Sequence, residues 1–248
     1  MLIHYARRLM GQARSPDANQ QLGFILCFIA GVVHALGIAA MLAYAQHATD
    51  PASTAGGGWS DNFGGLVAVC AGGLFCFVTG VVVATGLVGF ARQRKLQSEY
   101  ALPLLLAALQ LLFVGLVDAQ GAVADGVALI AVLMVLCLSM GMQNAAVTLM
   151  SNTEIRTTNI FPLLAAIGAE LGQRIAVDVG NASRQTEPPP PNARLALLNL
   201  LALYFFLGLA VGWLGFEQMG FAAILPFAIP LAVMALVPAI DDLLAVGH

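Results

Sequence analysis

His34 stands in the middle of an apolar run, residues 22–45, and Gln143 and Asn144 stand near the end of another, residues 126–149. An imidazole titrates near neutral pH and can shuttle protons. An amide side chain offers two N–H donors and an acceptor oxygen to a bound solute. Polar groups inside long apolar runs are costly, which makes them candidates for a solute or proton pathway. Their other role is a hydrogen bond between helices, about 0.6 kcal/mol on average. Both roles stay open for Gln143 and Asn144, whereas His34 favours the pathway. His47 and Thr49 close the first run, where a solvated histidine competes with a site residue. Thr157, Thr158 and Asn159 follow the run that holds Gln143, and either threonine also suits a helix cap. Glu170 and Arg174 are four residues apart, a spacing that makes either a surface ion pair or a gate beside the pathway.

Bond-breaking chemistry has no visible machinery. The sequence holds no Gly-x-Ser-x-Gly elbow, no His-Glu-x-x-His pair, no lysine-bearing phosphate loop and no paired carboxylates within the apolar runs. A non-enzyme without cofactor is expected. His4, His34, His47 and His248 lack metal-ligand spacing. Cys27, Cys70, Cys76 and Cys137 all fall inside apolar runs, as small buried hydrophobes rather than a disulfide framework.

The elements that must position these residues follow from composition. Apolar residues make up 60% of the 248 and charged residues 9%, against about a quarter charged in a soluble domain. Mean hydropathy is +0.88. Six apolar segments, near 22–45, 64–90, 101–117, 126–149, 195–216 and 219–240, are each about long enough to span a bilayer. All ten Lys and Arg residues fall on one side of that threading: Arg7, Arg8 and Arg14 before the first segment, Arg92, Arg94 and Lys95 after the second, and Arg156, Arg174, Arg184 and Arg194 between the fourth and fifth. The opposite loops carry Asp50, Asp61, Asp118, Asp125 and Glu217. Cations near spans stay in the cytoplasm, so six spans with both termini inside are expected. The tails are 1–21 and 241–248, around a single membrane domain over 22–240. The apolar run 22–45 is too long for a signal-peptide core, so the first span is read as retained. A net charge of −3 argues against nucleic acid. The expected partners are the lipid bilayer and a small-molecule solute, with a homo-oligomer left open.

The region 159–180 is apolar enough to resemble a seventh span. Glu170, Gln173, Arg174 and Asp178 recur on one helical face, opposite Phe161, Leu164, Ile167, Leu171 and Ile175. A full crossing would also export Arg184 and Arg194. An amphipathic helix at, or dipping into, the cytoplasmic interface is expected instead. Pro188 to Pro191 then form a stiff connector.

The first and fourth segments share a pattern. Gly31-Val32-Val33-His34-Ala35 parallels Gly141-Met142-Gln143-Asn144-Ala145. The polar run Gln46 to Pro51 parallels Thr157 to Pro162, and two more segments follow each. Three spans per half give two inverted repeats, about 22–117 and 126–240, an arrangement common in secondary transporters.

On these residues the chain resembles the YoaK-like family of small bacterial membrane proteins of unknown function. Gly141-Met142-Gln143-Asn144-Ala145 matches the family's Gly-Met-Gln-Asn-Ala element in full. Arg156-Thr157-Thr158-Asn159 resembles its Arg-Thr-Thr-His element, and Gly168-Ala169-Glu170-Leu171-Gly172 its Gly-x-Glu-Leu-Gly. Gln46-His47-Ala48-Thr49 resembles its Ser-His-x-Thr-Gly-Asn element. His34 stands where the family has Asp, Asp50-Pro51 replace the Gly-Asn, Asn159 replaces a His, and Phe161-Pro162 replace Thr-Gly. The resemblance implies an all-α integral membrane protein of the bacterial inner membrane. If the polar elements line a shared route, this member has lost it or changed its ligand.

Overall fold

The computed structural model describes residues 16–49, 59–94, 99–123, 126–150, 163–172 and 192–246. These residues form α1 (Pro16–Thr49), α2 (Trp59–Gln93), α3 (Ala101–Ala119), α4 (Gly126–Met150), α5 (Leu163–Gly172), α6 (Asn192–Met219), a 3-10 turn (Gly220–Ile224) and α7 (Leu225–Val246). Lipid offers no hydrogen bonds to the backbone, so an apolar chain at membrane depth satisfies its own peptide groups by coiling into helices.

Among the described residues, five stretches have the length and hydropathy to cross a membrane. The last, Leu195–Ile240, runs for 46 residues, about twice what one crossing needs. It is divided at Gly220, whose φ of 64° places the backbone in the left-handed region. Two span-length helices, α6 and α7, therefore share it. The break falls three residues later than the apolar pattern suggests, because the 3-10 turn is itself apolar and buried. The third helix likewise runs on to Ala119 and takes Asp118 into its last turn.

Burial separates the helices by role. In α1, 61% of the apolar window is buried inside the protein, against 17% in α2. Leu74, Phe75, Val78 and Val82 of α2 are exposed apolar side chains facing away from the core. The most extensive pairings are α1 with α6 and α2 with α4, and α1 also packs on α4.

Both extensive pairings are built on reciprocal glycines. A Cβ added at Gly31 of α1 would collide with the Phe205 carbonyl oxygen of α6, and one added at Gly208 of α6 would collide with the Phe28 carbonyl oxygen of α1. In the other pair, Gly80 of α2 lies on the Leu138 carbonyl of α4, and Gly141 of α4 lies on the Phe77 carbonyl of α2. Helices in lipid gain no hydrophobic drive from meeting each other, so contact area at close backbone approach holds them together. One turn onward, Gly212 lies against Val32 and Ala35, and Ala84 clusters with Met142 and Ala145.

Each end of the bundle is tied by side chains. At one end the Arg92 Nε donates to Glu99 Oε2 at 2.7 Å, and Arg92 Nη2 donates to the Tyr100 hydroxyl at 2.9 Å. The Tyr100 hydroxyl donates to the Leu149 carbonyl at 3.1 Å. This joins the end of α2, the start of α3 and the end of α4. At the other end Asp118 Oδ2 accepts the Ala222 N–H at 2.9 Å, which caps the 3-10 turn from α3.

The helix α5 lies beside the first half of α1 and the start of α6. Leu163 is buried among Cys27, Ala30, Leu198, Leu201 and Phe205.

Candidate functional site

The buried polar centre lies on α4. Ser139 and Gln143 occupy one face of that helix, four residues apart, and are 0% and 1% exposed. The Ser139 hydroxyl donates across to the Ala107 carbonyl of α3 at 3.2 Å. Its single proton is thereby committed, so it can only accept from Gln143, and the Nε2 amide group faces it at 3.4 Å. That fixes the amide orientation. The Gln143 Oε1 is turned the other way, buried and without a hydrogen-bond partner among the described residues. Gln110 Oε1 on α3 is in the same condition. A buried acceptor left open costs about 1–3 kcal/mol and calls for an explanation such as a bound donor.

His34 is turned to a different neighbour. Half-buried on α1, its ring packs on Phe205 of α6 with centroids 5.6 Å apart and planes tilted by 59°. The Ser139 hydroxyl that partners Gln143 reaches α3, whereas the His34 ring packs on α6. Asn144 is half-buried beside Gln143, and its carbonyl accepts the Thr148 hydroxyl at 2.8 Å.

Glu170 is buried rather than at the surface, and its expected ion pair with Arg174 falls outside the described residues. It is 5% exposed on α5, whereas Leu164 and Leu171 of the same helix are each 45% exposed. The helix therefore turns its carboxylate toward the protein and two leucines outward, as suits a helix beside lipid. Arg174, Thr157, Thr158 and Asn159 lie outside the described residues. His47 and Thr49 fall in the last turn of α1, and their side chains lie outside the described residues as well.

Ser139, Gln110 and Tyr100 have no part in the sequence expectation, and Asp118 figures there only as a loop carboxylate. Ser139 could have been found from its i,i+4 spacing to Gln143 on an apolar helix. Gln110 is the only polar side chain between Ala101 and Val117, and that isolation was the signal. Tyr100 and Asp118 gave none beyond their positions at span ends. Among the described residues no group of three or more His, Cys, Asp or Glu is placed to hold a metal.

What the arrangement offers is hydrogen bonding at membrane depth, from an amide oxygen, a hydroxyl and an imidazole, on helices packed by glycine. Comparison with curated proteins finds no match, and neither does comparison with solved structures. The family described as protein of unknown function (DUF1275) matches residues 22–237, which take in both glycine pairings and every described polar residue above; the chain belongs to that family, consistent with the YoaK-like resemblance.

Proposed function

We propose that this chain is a secondary-transporter-like protein for a small solute, made of two inverted three-helix repeats. One repeat is α1, α2 and α3, and the other is α4, α6 and α7. The observation that carries the reading is the paired glycine crossing. Aligning Gly31 with Gly141 and Gly208 with Gly80 carries Phe28 onto Leu138 and Phe205 onto Phe77. The same alignment carries Gly212, which lies against Val32 and Ala35, onto Ala84, which lies against Met142 and Ala145. Two seams then obey one rule. An odd number of crossings per repeat inverts the second copy relative to the first, as in many secondary transporters.

In this reading the solute or proton route passes Gln143 and Ser139 on one side of the midplane seam and His34 on the other. Under the alignment His34 and Asn144 are counterparts. Binding and passage of a solute, rather than bond-breaking catalysis, is the activity. The cation distribution supports a bacterial inner membrane location with both termini in the cytoplasm. The α5 helix lies at the inner interface, with Glu170 held against the bundle.

A second reading has its own support. The Gln143 amide already bonds Ser139, and a membrane scaffold would need such internal hydrogen bonds for packing alone. Liposome flux separates the two. Purified protein in proteoliposomes is screened for proton and small-solute uptake, with His34→Ala and Gln143→Leu alongside. Flux that either substitution abolishes supports the transporter. Flux unchanged in both variants removes these residues from the mechanism, and no flux for any solute in the native chain favours the scaffold.

A further inference from the structure

The two halves differ at the seam made by their third helices. The third helix of the first repeat, α3, lies along α4 with its backbone in close contact, but its counterpart α7 scarcely approaches α1. Long side chains bridge that second seam, Phe28 to Phe227 with centroids 5.6 Å apart. The helices align through Leu102-Pro103 and Leu225-Pro226, which begin α3 and α7. On that register Pro103 and Ala107, both buried, correspond to Pro226 and Pro230, both exposed. Ser139, which receives Ala107, corresponds to Ile29 of α1. The face that α3 has docked, α7 presents undocked.

Resting on the inverted-repeat reading above, we infer that the protein exchanges between two states in which these seams trade places. In the state seen here α3 is docked on α4, and the Tyr100 hydroxyl locks the start of α3 to the Leu149 carbonyl at the Arg92 end of the bundle. In the other state α7 docks its Pro226–Pro230 face on α1 near Ile29, at the Asp118 end. Tyr100 releases Leu149, Ala107 leaves Ser139, and the Ser139–Gln143 pair is opened to the Arg92 end. Asp118 carries both movements, because it joins the end of α3 to the turn that starts α7. The device is an exchange of helix docking about the α1–α4 contact, and Tyr100 is its latch.

Disulfide trapping tests it in a chain freed of its four native cysteines. The pair Ala107→Cys with Ser139→Cys traps the present state, and the pair Pro230→Cys with Ile29→Cys traps the other. Both pairs are expected to close within one chain. Tyr100→Phe is expected to slow the first closure and speed the second by about fivefold, the change that one ordinary hydrogen bond makes to an equilibrium. Failure of the second pair to close, closure only between two chains, or equal rates with and without the Tyr100 hydroxyl would overturn the inference. Should the cysteine-free chain not fold, hydrogen exchange on a chain that keeps its native cysteines answers the same question. Tyr100→Phe then raises exchange over 101–108 and lowers it over 226–232, and unchanged exchange overturns the inference. Trapping that succeeds in a chain without flux leaves the exchange standing and removes transport.

Discussion

Gly141 rests on the carbonyl oxygen of Phe77, with no room between α4 and α2 for even one methyl group. Gly31 stands in the same relation to Phe205 on the other side of the bundle. The two glycines open the shared five-residue elements that also hold His34 and Asn144. In both places the glycine that brings helices together stands three positions before a residue that offers polar chemistry.

Gly141→Ala is expected to force α2 and α4 apart, because the obstruction is backbone and cannot rotate away. Overpacking costs about 1–3 kcal/mol in ordinary cores, and this site belongs at the upper end. Gly86 of α2 meets nothing within 4 Å, so Gly86→Ala is expected to keep or raise stability by about 0.5–1 kcal/mol. Thermal unfolding in detergent compares them. Equal midpoints for the two variants would contradict the close crossing.

Gln143→Leu replaces the amide by an apolar group of similar size and leaves the Ser139–Ala107 bond intact. Its effect on stability is expected to stay under about 1 kcal/mol, the scale of membrane hydrogen bonds. On the proposed transport function, uptake should nonetheless fall to the protein-free baseline. A variant that loses stability and keeps uptake would assign the amide to packing.

Asp118→Ala removes the acceptor of the Ala222 N–H, and losing a cap of this kind costs about 1 kcal/mol. Asp118→Asn keeps an acceptor oxygen and is expected to lie near the native chain. Gly220→Ala is expected to cost about 1–2 kcal/mol from its left-handed backbone, and its Cβ would meet Asp118 Oδ2 at 2.7 Å. Indistinguishable unfolding of Asp118→Ala and Asp118→Asn would dissolve the cap.

Span positions were legible because crossing a bilayer requires runs of apolar residues that soluble chains seldom contain. The pairing of helices was not. Gly72, Gly80 and Gly86 form no regular ladder in sequence, and only the crossing geometry selects Gly80 as the residue that touches Leu138. Gln143 was legible as an amide in apolar surroundings, but Ser139 reads as a small residue until α3 is beside it. For Glu170 the helical spacing predicts a polar face apart from the apolar one, yet Glu170 is buried on α5 together with Leu163. The spacing carries no sign of which face meets lipid and which meets the bundle, so the carboxylate that reads as solvated is buried.

The proposed inversion of the two halves is tested most directly by the sidedness of their second helices. Gln93 ends α2, Gln218 stands next to the end of α6, and both side chains are exposed. Single-cysteine variants Gln93→Cys and Gln218→Cys, in a background without the native cysteines, are labelled in sealed vesicles with a membrane-impermeant thiol reagent. Labelling from opposite faces of the bilayer is the predicted result. Labelling of both from the same face would contradict the inverted architecture.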